Sequence, residues 1–223
     1  MTYRATLREL ADAQYGYITT REASDLGVPG VELRKLANRG VLRQVRRGVY
    51  RFPDARRTDL DAYAEAVARV GEGAFLMGDA VLGLLGLALV EPRRIKVGTP
   101  NRVRQKDPGF VDVVWRAFPR QVLTTYEGIA ATTVAQALID ARGTVMADRL
   151  RDATNQAFRA GLLTHAEANR VRAALRRPAQ TGRASRANDP KADDHRTSTR
   201  PTDGRRAGGT SARSGTRHAV VGP

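Results

Sequence analysis

The apolar positions of the first fifty residues change period twice, and each change predicts a different element. From Thr6 to Gln14, Leu7, Leu10 and Ala11 recur at i, i+3, i+4 spacing with Arg8, Glu9 and Asp12 between them, which predicts an amphipathic helix stopped at Gly16. Tyr17-Ile18-Thr19 is short and β-favouring. The run from Thr20 to Gly27 then reads as a two-turn helix, capped by Thr19 or Thr20, with Glu22 in its first turn and Gly27 as its stop. Gly27-Val28-Pro29-Gly30 predicts a tight turn. A third helix follows from about Gly30 to Arg39 and ends at Gly40. Val31, Leu33, Leu36 and Ala37 are expected to face inward, and Glu32, Arg34, Lys35, Asn38 and Arg39 outward. After Gly40 the period becomes two, and Val41 to Phe52 reads as two strands around the basic hairpin tip Arg46-Arg47-Gly48.

Two short helices joined by a Gly/Pro turn, the second with an exposed basic and amide face, form a helix-turn-helix that fits a major groove, and the hairpin behind it is a wing. A helix pair alone is a weak signal. The conjunction of helix, short strand, two-turn helix, turn, basic helix and basic hairpin within 52 residues points to DNA. Glu32, Arg34, Lys35 and Asn38 are the candidates for base or near-base contact, and Arg39 at the end of the same helix is a further DNA-binding candidate. Arg43, Arg46, Arg47 and Arg51 are the candidates for phosphate contact from the wing.

The middle of the chain alternates helical and strand-like patterns. Asp59 to Val70 places Leu60, Tyr63, Ala64, Val67 and Ala68 at helical spacing. Met77 to Leu87 predicts a second apolar helix, in which Gly83 and Gly86 would permit close approach of a neighbour. Arg94–Gly98 and Val111–Trp115 alternate as strands, joined by a polar loop from Asn101 to Pro108. Gly128 to Asp140 predicts a strand leading through a Thr132 or Thr133 cap into an apolar helix. Two more helices are expected over about Val145–Ala160 and Thr164–Leu175, the last opened by Thr164 with Glu167 at capping-box spacing. Tyr50 and Trp115, each in an alternating strand, read as core anchors. The expected fold class is α+β: a winged helix-turn-helix domain over residues 1–57, a mixed α/β domain over 58–175, and a disordered Arg-rich tail over 176–223.

Charge follows the same division. The chain has 223 residues, 38 Lys+Arg against 23 Asp+Glu, a net charge of +15 and a pI of about 11.2. Residues 1–57 carry +6, residues 58–175 only +2, and residues 176–223 +7. Only four of the basic residues are lysine, and an arginine bias of coding origin would raise all three segments together. The uneven distribution instead favours a functional reading of the charge at the two ends, with an anionic partner. The basic tail has no aromatic residue and too few aliphatic ones to bury a core, so it reads either as a nonspecific DNA-binding tail or as a solvated segment without a selected role. No stretch approaches the roughly 20 apolar residues of a membrane span, and no signal core is visible, so the expectation is a soluble, cytoplasmic chain without a membrane partner.

The string Gly16-Tyr-Ile-Thr-Thr-Arg-Glu-Ala-Ser-Asp-Leu-Gly-Val28 and the segment Leu33–Arg51, a leucine helix followed by Arg39-Gly40-Val41-Leu42 and then Arg47-Gly48-Val49-Tyr50, closely resemble the N-terminal winged helix of AbiEi-type antitoxins. The resemblance implies a transcriptional repressor that forms one half of a type IV toxin–antitoxin pair, with double-stranded operator DNA and a nucleotidyltransferase-like toxin as partners, the latter in function if not by contact. The order of elements over 128–140 also resembles the second domain of that family. Where the family usually carries Arg-Thr-Leu this chain has Gln136-Ala137-Leu138, so any role of that arginine is absent. The chain is expected to be a monomer or weak dimer.

Catalytic chemistry is poorly supplied. There is no cysteine, and two of the three histidines, His195 and His218, lie in the basic tail; His165 stands alone at an expected helix start. Asp79, Glu91, Asp107, Asp112, Glu127 and Asp140 are scattered without the spacing of a metal-dependent nuclease. Thr132 or Thr133 reads as a helix cap, and Asp140 as a helix-surface or hinge acid. The expectation is no cofactor, no metal and no enzyme. Two alternatives stay open: a nuclease-like enzyme delivered to nucleic acid by the winged helix, and an orphan DNA-binding regulator without a toxin.

Overall fold

The computed structural model describes residues 2–102 and 109–177. The basic tail beyond Arg177 and most of the expected 101–108 loop lie outside them. The described residues form a mixed α+β structure with two sheets.

The N-terminal part follows the expected order. Helix α1 (Tyr3–Asp12) buries Leu7 and Ala11, and Gly16 takes φ +83° in the turn to β1 (Tyr17–Thr19). Helix α2 (Thr20–Asp25) is opened by a complete capping box: the Thr19 hydroxyl accepts from the Glu22 amide, and the Glu22 carboxylate accepts from the Thr19 amide at 2.8 Å. Gly27, at φ +73°, ends α2, and α3 (Gly30–Asn38) follows the Val28-Pro29 turn. Strands β2 (Arg43–Arg46) and β3 (Val49–Arg51) form the wing, with a bulge between Gln44 and Arg46, and β1 completes a three-stranded antiparallel sheet in the order β1-β3-β2.

Both faces of this small sheet are covered. Ile18 and Tyr50 point into a cluster with Leu7, Ala11, Ala23, Val28, Leu33, Leu42 and Phe52. Tyr17 and Val49, one residue away in the pleat, point the other way into the core of the second half of the chain. Helix α4 (Asp61–Val70) lies on that second face: the Tyr17 hydroxyl donates to the Glu65 carboxylate at 2.8 Å, and an Arg46 guanidinium N–H donates to the Arg69 carbonyl at 2.7 Å.

The second half is built on a five-stranded sheet in the order β6-β5-β4-β8-β7, formed by β4 (Phe75–Leu76), β5 (Ile95–Thr99), β6 (Val111–Trp115), β7 (Leu123–Tyr126) and β8 (Ile129–Thr132). Strands β5 and β6 run parallel, as do β4 and β8, and the other two pairs are antiparallel. Helices α4 and α5 (Asp79–Leu84) pack on the sheet, α6 (Val134–Asp140) packs on α5, and α6, α7 (Ala147–Arg159) and α8 (His165–Arg176) pack on one another. Thr133 caps α6, and Thr164 with Glu167 forms a second capping box on α8.

Three expectations are corrected here. The apolar run from Met77 is not one helix: Met77 still hydrogen-bonds across to Lys96 of β5, Gly78 turns at φ +58°, and the helix covers only Asp79–Leu84. Of its glycines, Gly83 does permit close approach, since a Cβ there would lie 2.7 Å from the Tyr63 hydroxyl, whereas Gly86 faces open space at φ +64° and serves as the helix stop. Trp115 is not a core anchor. It stands 73% exposed at the end of the edge strand β6, with its indole N–H donating to the Pro100 carbonyl at 3.0 Å. Tyr50 is buried as expected.

Asp140 is also not a surface acid. Its side chain is 6% exposed, one oxygen accepts from Gln136 at 3.1 Å and pairs with Arg116 at 3.3 Å, and the other has no hydrogen-bond partner. Burial pushes its carboxyl above the ordinary value of 3.8, and the Gln136 and Arg116 contacts offset this only in part. A raised carboxyl costs stability while it is ionised, and the cost fades as pH falls through the raised value. Asp140→Asn removes the ionisation, so the melting temperature of the variant relative to the native chain is expected to be higher at pH 7 than at pH 4, as read by calorimetry at both. A constant difference would contradict the burial account.

Candidate nucleic-acid interface

Leu33 is the fully buried residue of α3, with Leu36 and Ala37 packed beside it, and this seats the helix on the N-terminal cluster. The opposite face is thereby turned to solvent. Arg34, Lys35, Asn38 and Arg39 are all exposed. Glu32 is half-buried and accepts from Lys35 Nζ at 2.8 Å, one turn along the helix. This carboxylate also lies in the first turn, where the positive end of the helix dipole favours it. The five candidates of this helix thus share its outer side, with part of the lysine charge held by Glu32.

Val31, expected inside, is 48% exposed. The seating by Leu33 turns the second helical position outward, in line with Arg34, Lys35 and Asn38 at i+3, i+4 and i+7. At about 100° per residue Val31 lies about 160° from Leu33, so helical spacing itself sets it among Arg34, Lys35 and Asn38, and the inward expectation went against the period.

The wing supplies a second set of cations, but fewer than the sequence suggested. Arg43 and Arg47 are exposed, as is Gln44, which the sequence reading passed over. Gly48 takes φ +79° at the tip, and its carbonyl accepts from the Thr20 amide at 2.9 Å, which ties the tip to the start of α2. Arg46 is half-buried and directed back to the Arg69 carbonyl, so it braces the wing against α4. A cleft of about 660 Å³ remains between the wing tip, α2 and α4, bridged by an Arg21–Glu72 ion pair at 2.6 Å.

Arg51 is a correction. It is 1% exposed and cannot reach a phosphate. Its pleat position is that of Tyr17 and Val49, on the face that α4 covers. The guanidinium pairs with the Asp61 carboxylate at 2.8 Å, donates to the carbonyls of Phe52 and Ala55, and lies 5.4 Å from the centre of the Tyr17 ring. The other Asp61 oxygen accepts from the Thr58 amide and hydroxyl. An arginine in an alternating basic hairpin looks solvent-facing until the second sheet face is known to be covered; an acid ten residues on was the only local hint.

The helix, short strand, helix, turn, basic helix and two-stranded wing define a winged helix-turn-helix protein. Within it, residues 5–53 match the family described as transcriptional regulator, AbiEi antitoxin. Among solved structures, the chain is similar to the crystal structure of the RV2827C protein from Mycobacterium tuberculosis at 20% identity, covering 80% of this chain and 79% of that one, with a TM-score of 0.43. No curated protein matches. Among the described residues no group of three or more His, Asp or Glu side chains is gathered to hold a metal ion, and no helix is long and apolar enough to cross a membrane.

Proposed function

We propose that the chain is a cytoplasmic, non-enzymatic repressor that binds the operator of its own operon and acts as the antitoxin of a type IV pair, counteracting a nucleotidyltransferase-like toxin. Residues 1–57 are the DNA-binding domain in this reading, and residues 58–175 set dimer contacts or act against the toxin. The observation that supports it most is the outward stripe of Arg34, Lys35 and Asn38 beside wing residues Arg43 and Arg47, in a segment of AbiEi regulator type. Arg34, Lys35, Asn38 and Glu32 are assigned to bases, and Arg39, Arg43 and Arg47 to the backbone, with Arg46 a brace.

Phosphate contacts act on every sequence alike and release counterions, so they set the salt dependence. Arg43→Ala with Arg47→Ala is expected to weaken specific and nonspecific duplexes to a similar degree and to flatten the slope of log affinity against log salt by about 2, one per phosphate contact. Fluorescence anisotropy titrations at several salt concentrations read this directly, and an unchanged slope removes the wing from the interface. The antitoxin assignment is tested by expressing the chain with the neighbouring reading frame. Growth arrest by that frame, relieved by this chain, supports it; arrest that the chain leaves unrelieved, or no arrest at all, favours an orphan regulator.

A further inference from the structure

Val31, at the head of the basic helix, is 48% exposed and belongs to neither core cluster of the described residues. Leu33, Leu36 and Ala37 seat α3 without it, and a β-branched side chain contributes less to helix stability than alanine would. Its surroundings along the outer face are Arg34 and Lys35, one turn on, and Asn38, two turns on. The partner of this face must therefore carry negative charge close to an apolar group. A recognition helix enters the major groove with its N-terminal residues nearest the base edges. In that groove the thymine C5-methyl is the apolar group a base pair presents, and it lies between two lines of phosphates.

We propose that Val31 is a specificity-determining residue that packs on a thymine methyl of the bound duplex. The proposal rests on the reading of α3 as the DNA-reading helix and adds to it one base identity. Arg34 and Lys35 bring the groove to the helix by charge, and Val31 distinguishes thymine from cytosine and from unmethylated uracil by contact with one methyl group.

The test starts with the full chain and a pool of duplexes with a randomised centre, from which the enriched duplex is taken. Each thymine of that duplex is then replaced singly by deoxyuridine, which changes no hydrogen bond and removes only the methyl. At one position the native chain is expected to lose about fourfold in affinity, the worth of one buried methyl. Val31→Ala is expected to bind the thymine and uracil forms of that position alike, and Val31→Ile to keep the difference. Uracil replacement without effect at every position, or a difference that persists in Val31→Ala, overturns the assignment while leaving DNA binding intact. If the native chain enriches no duplex, the DNA-reading role of α3 fails and this inference with it.

Discussion

Asp61→Ala is expected to lower the unfolding free energy by about 3–5 kcal/mol, the range for removing one partner of a buried ion pair. The change strands the Arg51 guanidinium, which is 1% exposed and has an Nε without a hydrogen-bond partner even in the native chain. The carbonyls of Phe52 and Ala55 remain as acceptors, but they carry no charge to balance it. The loss also reaches the junction of the two halves, because Asp61 opens α4 and holds Thr58 through two further hydrogen bonds. Replacing both partners with apolar residues of similar size is expected to recover most of the stability, since no charge is then left buried. Denaturant titration of the two variants separates these outcomes. A loss below about 1 kcal/mol in Asp61→Ala, typical of an exposed pair, would mean that Arg51 is open to solvent after all. The result bears on function too: Arg51 variants are expected to lose DNA binding only as far as they unfold.

The second large effect is expected at Arg34. Its side chain is exposed on the outer face of α3, so Arg34→Ala should leave stability within about 0.5 kcal/mol of the native chain. Affinity for the specific duplex is expected to fall by about 1–3 kcal/mol, the worth of a bidentate arginine–guanine contact. Affinity for unrelated duplexes should fall much less, because the remaining cations of the helix and wing still meet the phosphates. The diagnostic is therefore the ratio of the two affinities, measured by competition. Equal losses on both duplexes would make Arg34 a phosphate contact and move base reading to Lys35 or Asn38.

Local signals were legible in the sequence. The capping boxes Thr19/Glu22 and Thr164/Glu167 need only residues three apart, and the wing turn needs only Gly48 behind two arginines. The order of elements through β3 could be read because each carries its own period and stop. What escaped depends on distant packing. Strand β4 is two buried residues, Phe75 and Leu76, too short to show an alternation, and β7 reads Leu-Thr-Thr-Tyr with no apolar repeat. The environments of Arg51, Trp115 and Asp140 escaped for one reason: periodicity gives the two faces of an element but not what lies on them, whereas the period of α3 already turns Val31 outward. Helix α4 covers the face that holds Arg51, the end of β6 leaves Trp115 73% exposed, and Arg116 and Gln136 contact Asp140. Of the candidate residues, the five on α3 share one side of that helix, while two of the four wing arginines, Arg46 and Arg51, serve the fold.

The claim that α3 and the wing read an operator is tested most directly by titrating the full chain against the DNA immediately upstream of its own reading frame and against a shuffled duplex of equal length, at physiological salt. The expected result is binding of the upstream DNA at least about a thousandfold tighter than the shuffled one, the lower end for specific recognition, with most of that ratio lost in Arg34→Ala. Equal affinity for the two duplexes, with or without the substitution, would contradict it.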